Sequence, residues 1–137
     1  MKMHLIGPNA CTQTTPTVLL IHPMLSSAEG MKTVLVSNMS DDLRYLVPDL
    51  AAHGEEDATE YTSASQEAAQ IHDWLLEHNI THLSLGFGAS LGGVVLSELL
   101  KFPDLSFDHL FFEGTSFWTG GFLASTLEFV LKKVFLA

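Results

Sequence analysis

The chain alternates short, dense apolar runs with stretches in which apolar residues return every three or four positions. Thr17-Val18-Leu19-Leu20-Ile21-His22 is almost continuously apolar, the pattern of a strand covered on both faces of a parallel sheet. A helical stretch from about Ala28 to Met39 follows. Leu43 to Val47 reads as the next strand, stopping at Pro48 because proline brings no N–H to a ladder. Ala51 to Thr62 is loop-like, with Gly54 and the acidic run Glu55-Glu56-Asp57. Ser63 or Ser65 suits the cap of a helix whose apolar positions are Ala64, Ala68, Ile71 and Leu75, closing near His78. Ile80 to Phe87 is a further strand, Leu91 to Lys101 a helix ending before Pro103, and His109 to Phe112 a short strand. Leu123, Leu127, Val130 and Val134 share one face of a last predicted helix.

The predicted order, β-α-β-α-β-α-β-α, belongs to the α/β class. It calls for right-handed crossovers and a mostly parallel sheet with helices on both faces. Ligands of such sheets bind at the carboxyl ends of the strands. The informative segments are therefore His22 to Ser26, Asp49 to Gly54, Gly88 to Gly93, and Glu113 to Ser116.

Size and charge narrow the field. The 137 residues suffice for one domain with a real core. A net charge of −10 argues against a nucleic-acid partner, which needs a basic face. The lone Cys11 can form no internal disulfide, reads as an inert residue and suits a reducing cytoplasm. No cysteine or histidine pair has a persuasive metal spacing, so no metal is expected. The N-terminus lacks the apolar run of a signal peptide. The most apolar segment, Phe122 to Ala137, is interrupted by Glu128, Lys132 and Lys133 and is too short and too charged for a membrane span.

The strongest chemical signal is Gly88-Ala89-Ser90-Leu91-Gly92, followed by Gly93. It fits G-x-S-x-G between a predicted strand and a predicted helix. A sharp strand-to-helix turn strains its central residue, and side chains two positions either side would meet the crossing chain. The serine hydroxyl then stands in the cleft, where the helix beginning at Leu91 directs its free N–H groups. The spacing does not suit a dinucleotide-binding loop.

The run Leu85-Gly86-Phe87-Gly88-Ala89-Ser90-Leu91-Gly92-Gly93 resembles the nucleophile elbow of α/β-hydrolases. Ile21-His22-Pro23-Met24 resembles that family's His-Gly segment, and Pro48-Asp49-Leu50-Ala51-Ala52-His53-Gly54 its Pro-Asp-Leu-x-Gly-His-Gly loop. The resemblance covers about residues 16 to 116. It implies the N-terminal part of a hydrolase core over residues 1–116, with 117–137 as the start of a cap or C-terminal helix. Ser90 would be the nucleophile, and the backbone N–H groups of Met24 and Leu91 the oxyanion hole. Gly88 and Gly92 would be the elbow glycines. Pro23 departs from the pattern, where glycine is usual, so a different loop path is expected. His22 and His53 match structural histidines of the family, not its catalytic base.

The family's chain order is serine, then acid, then histidine. Only 47 residues follow Ser90, and His109, at the start of a predicted strand, is the sole histidine among them. Glu113, at a strand's carboxyl end, stands where a minority of the family places its acid; its more ordinary reading is a loop or capping carboxylate. The histidine, and the acid with it, would come from outside this sequence. The expected activity is ester, thioester or amide hydrolysis of a small-molecule acyl substrate without organic cofactor. The alternative is a catalytically inactive interaction module on the same core. A sheet edge near residues 109 to 112 and an apolar final helix left without neighbours predict a homo-oligomer.

Overall fold

The structure, a computed structural model, describes residues 1–8, 12 and 14–115. Five strands form one sheet: β1 (Lys2–Ile6), β2 (Thr17–Ile21), β3 (Arg44–Asp49), β4 (His82–Ala89) and β5 (Ser106–Glu113). The helices are α1 (Ala28–Val34), α2 (Ala64–Glu77) and α3 (Leu91–Leu99). The spatial order is β1-β3-β2-β4-β5, with β1 antiparallel to β3 and every other pairing parallel. The α/β class and the mostly parallel sheet are as the pattern predicts.

Handedness assigns the helices to faces. From β2 through α1 to β3 the chain steps one way along the sheet; through α2 and α3 it steps the other way twice. Right-handed crossovers then put α1 on one face and α2 with α3 on the other. The core divides accordingly. Leu19 and Ile21 pack with Ala68, Ile71 and Leu75 of α2 and with Val95, Leu96 and Leu99 of α3. Val18, Leu20, Tyr45, Val47 and Phe87 pack with Ala28 and Met31 of α1.

Several boundaries differ from the sequence reading. β1 was not anticipated; Met3 is buried and Leu5 exposed along it, a short alternation next to the unpatterned Gly7-Pro8. β3 does not stop at Pro48 but runs through it to Asp49. The β2 ladder ends at Leu46, so Pro48 is paired only toward β1, opposite Met3, a one-sided position that tolerates a missing N–H. α1 ends at Val34 and is followed by a 3₁₀ turn, Val36–Asn38, rather than continuing to Met39. Side chains of Thr33, Ser37 and Asn38 bond carbonyls four residues back, which competes with the helical ladder. β5 begins at Ser106, which places His109 inside the strand rather than at its start. The predicted last helix and Cys11 lie outside the described residues.

Asp49 closes the sheet's β1 side. Only 2% exposed, it accepts from the Ala28 amide at 2.8 Å, the Glu55 amide at 3.1 Å and His4 Nε2 at 2.7 Å. Burial alone would raise its pKa, but these donors hold the carboxyl below its ordinary value. Its contribution is therefore present above the ordinary carboxylate range and lost as pH falls through the depressed value. Asp49→Asn is expected to lower stability at neutral pH by about 2 kcal/mol, leaving buried amides poorly matched. Urea denaturation across a pH series should show the gap to the parent protein narrowing on acidification; a constant gap would count against the ionised carboxylate.

Candidate active site

Ser90 occupies the one-residue bend between β4 and α3. It adopts φ 49° and ψ −113°, a conformation side-chain-bearing residues rarely hold. Backbone bonds hold it there. The Ser90 amide donates to the Glu113 carbonyl at 2.8 Å, and the Ser90 carbonyl accepts from Gly93 and Val94 at 3.0 and 3.2 Å. The residue is exposed at the head of α3, whose first amides, including that of Leu91, have no intrahelical carbonyl to meet.

The glycines permit this bend by steric necessity. A Cβ on Gly88 would lie 2.5 Å from the Gly92 carbonyl oxygen and 2.6 Å from the Gly93 Cα. A Cβ on Gly92 would collide with the Ile21 carbonyl oxygen and approach that of His22 to 2.7 Å. The head of α3 thus rests directly on the last backbone of β2. This contact brings Ser90 and Leu91 beside the loop that carries Met24.

That loop is pinned by His22, which is wholly buried. Its Nδ1 lies 2.8 Å from the Pro23 carbonyl oxygen, and its Nε2 lies 3.1 Å from the Leu50 amide nitrogen. A carbonyl can only accept and an amide N–H can only donate, so the ring is the neutral tautomer with its proton on Nδ1. Burial depresses its pKa, with the nearby His53 acting in the same direction. The Pro23 carbonyl and the Met24 N–H belong to one trans peptide and point in opposite directions. By holding the carbonyl, His22 fixes the direction of the Met24 N–H. The Ser26 amide reinforces the same carbonyl at 3.3 Å. The Met24 side chain itself is 61% exposed, so only its backbone is fixed.

The remaining candidates separate cleanly. His53 bonds the Ala51 carbonyl through Nδ1. His72 pairs with Asp104, His78 with the Trp74 carbonyl, and His82 with Asp108, all at the surface. Glu113 is exposed at the carboxyl end of β5 beside Ala89. Together with Pro23, Ser26, Phe87 and Ala89 it lines a cavity of about 170 Å³. Sequence reasoning missed Glu67, buried under the loop after β3, where it accepts from the Ala51 amide at 3.2 Å. Burial raises its pKa. Nothing in its helical pattern marked it, because it occupies an ordinary first-turn position of α2. Among the described residues, His4, Asp49 and Glu55 form one group with donor atoms within 4.8 Å of one another. Its shortest contact is the His4–Asp49 bond that joins β1 to β3.

The fold has close counterparts among solved structures. A protein from Desulfitobacterium hafniense assigned to the alpha/beta hydrolase family superposes with a TM-score of 0.78 at 21% identity, over 98% of this chain and 52% of that one. Homoserine O-acetyltransferase from Staphylococcus aureus matches 98% of this chain and 46% of its own, with a TM-score of 0.70 and 14% identity. The N-acyl homoserine lactonase AidH, complexed with N-butanoyl homoserine, matches 82% of this chain and 40% of its own at a TM-score of 0.65 and 23% identity. No protein-family model and no curated protein matches the chain. The chain has the fold of the N-terminal part of α/β-hydrolases and spans about half the length of these structures.

Two outcomes test the site's construction. Ser90→Gly relieves the strained backbone and is expected to raise stability by about 1 kcal/mol, whereas Gly92→Ala should cost several-fold more, about 3 kcal/mol or loss of folding; thermal unfolding compares them. Long-range ¹H–¹⁵N spectra should show His22 protonated on Nδ1 and still neutral below the pH at which an ordinary histidine titrates. Because its folded pKa is depressed, the stability it contributes is full above the ordinary histidine pKa and declines as pH falls through the folded value.

Proposed function

We propose that this chain carries the nucleophile and oxyanion hole of a serine hydrolase acting on small-molecule esters, thioesters or amides. The observation that carries this reading is the conformation of Ser90, φ 49° and ψ −113°, at the head of a helix seated on the end of β2. Strain of about 1–3 kcal/mol at an exposed serine is what a positioned nucleophile would retain. The Ser90 hydroxyl attacks the acyl carbon, and the Leu91 and Met24 backbone N–H groups receive the charge that develops on the carbonyl oxygen. Losing one such donor costs about 3 kcal/mol of transition-state stabilisation. The base that takes the serine proton is a histidine outside this sequence, oriented by an acid also supplied from elsewhere. Acyl transfer through serine draws on no organic cofactor.

Two of the proteins of similar fold, an acetyltransferase and a lactonase, move or cleave acyl groups. A fold shared at this identity leaves the reaction itself to be established at the site. The second reading, an interaction module without activity, draws on Leu110 and Phe111 of β5, 41% and 56% exposed. Either way, self-association is proposed, through the exposed Leu110 and Phe111 of β5 or through a C-terminal helix.

Fluorophosphonate labelling decides between the readings, using the polypeptide that the whole reading frame encodes. Labelling that falls by about 10⁴-fold in Ser90→Ala is the expected result. An unlabelled protein, or labelling indifferent to Ser90, leaves the module. Sizing with light scattering reads the assembly: a dimer or larger species is expected at micromolar concentration, and a monomer refutes the self-association.

A further inference from the structure

Glu67 stands on the first turn of α2 and is almost wholly buried, on a helix whose other inward positions are Ala68, Ile71 and Leu75. A carboxyl at such a position forfeits hydration that an apolar side chain would not miss. What it holds in return is the Ala51 amide, 3.2 Å from Oε2. That amide belongs to a tight turn, closed by the His53 amide on the Leu50 carbonyl at 3.0 Å. Within the turn Ala52 adopts φ 66°, a left-handed conformation that alanine rarely holds. The turn therefore needs ties from outside itself. The Ala51 amide on Glu67 supplies one, and the Ala52 amide on the Glu56 carbonyl, at 2.9 Å, supplies another.

The turn begins at Leu50, whose own amide donates to His22 Nε2 at 3.1 Å. The other ring nitrogen of His22 donates to the Pro23 carbonyl at 2.8 Å, and that carbonyl shares its peptide with the Met24 N–H. We infer that Glu67 is a positioning residue for the oxyanion hole: by clamping the Ala51 amide it fixes the Leu50 amide, the tilt of the His22 ring and hence the direction of the Met24 N–H. The amides of Leu50 and Ala51 belong to consecutive peptides, so a turn that moves at one carries the other with it. Glu67 touches no reacting atom. It acts from α2, whose Ala68, Ile71 and Leu75 sit in the core and give the carboxyl a fixed base. What the loop requires is an accepting oxygen at the reach of a glutamate side chain, not its charge. The inference rests on the reading of Met24 as an oxyanion donor.

Substitutions at this position, in the polypeptide that the whole reading frame encodes, test it. Glu67→Met removes the accepting oxygen at similar length. Glu67→Asp withdraws it by one methylene while keeping the charge, and Glu67→Gln keeps both oxygen and reach. Fluorophosphonate labelling is followed against probe concentration, and His22 by long-range ¹H–¹⁵N spectra. In Glu67→Met and Glu67→Asp the maximal labelling rate is expected to fall about tenfold, as for a displaced oxyanion donor, while the half-saturating probe concentration hardly changes. The His22 Nε2 resonance should shift in the same two variants, because its hydrogen bond from Leu50 loosens. Glu67→Gln should return both rate and resonance to the parent values. Should Glu67→Met fail to fold, Glu67→Asp and Glu67→Gln carry the comparison, with thermal unfolding as the check on each. An unmoved His22 resonance in folded Glu67→Asp overturns the inference, as does a Glu67→Gln protein as impaired as Glu67→Asp. A loss of stability with parent-like labelling and resonance also overturns it, leaving Glu67 a structural tie. Labelling indifferent to Ser90 instead overturns the hydrolase reading, and the His22 resonance still reports whether Glu67 sets the loop.

Discussion

The site exists because two backbones touch where side chains would ordinarily keep them apart. The head of α3 rests on the last residues of β2, and a single Cβ at position 92 would drive it off the Ile21 carbonyl. Gly88 makes the matching concession on the other side of the bend. Ser90, between them, bears the conformational cost, and its three backbone bonds to Glu113, Gly93 and Val94 keep that strain from relaxing. The strand before it and the helix after it are well buried, so the bend is enforced by the core rather than by its own preferences.

A second constraint acts at the neighbouring strand ends. Buried polar groups there have no water to satisfy them, so each finds a backbone partner. His22 joins the loop after β2 to the loop after β3. Asp49 joins that second loop to α1 and, through His4, to β1. Glu67 holds the Ala51 amide from the side of α2. These ties make the loops around the elbow a continuous, hydrogen-bonded rim. The direction of the Met24 N–H is one product of that rim, because the carbonyl in the same peptide is already engaged.

The winding of the sheet has a consequence on a larger scale. Among the described residues, two crossovers in one direction and one in the other put two helices on one face and one on the other. The sequence meets the first requirement with α2 and α3. On the second face α1 packs with Phe87, on which Phe111 is stacked.

Pattern alone determined much of this protein. The apolar run of β2, the spacing of Ala68, Ile71 and Leu75, and the glycine-serine-glycine turn each follow from local sterics and burial, which neighbouring residues encode. Position 90 could be singled out because a strained bend needs glycine at fixed offsets. Other features were decided only in three dimensions. β1 joins the sheet through pairing with β3, about forty residues away, and five residues of weak alternation do not announce that. Pro48 lies inside a strand because β2 has stopped pairing by that point, a fact of register and not of composition. The tautomer of His22 and the burial of Glu67 depend on amides contributed by Leu50 and Ala51, which no spacing rule connects to them. Local periodicity specifies elements and their faces; long-range packing selects which backbone groups meet, and the chemistry of this site rests on those meetings.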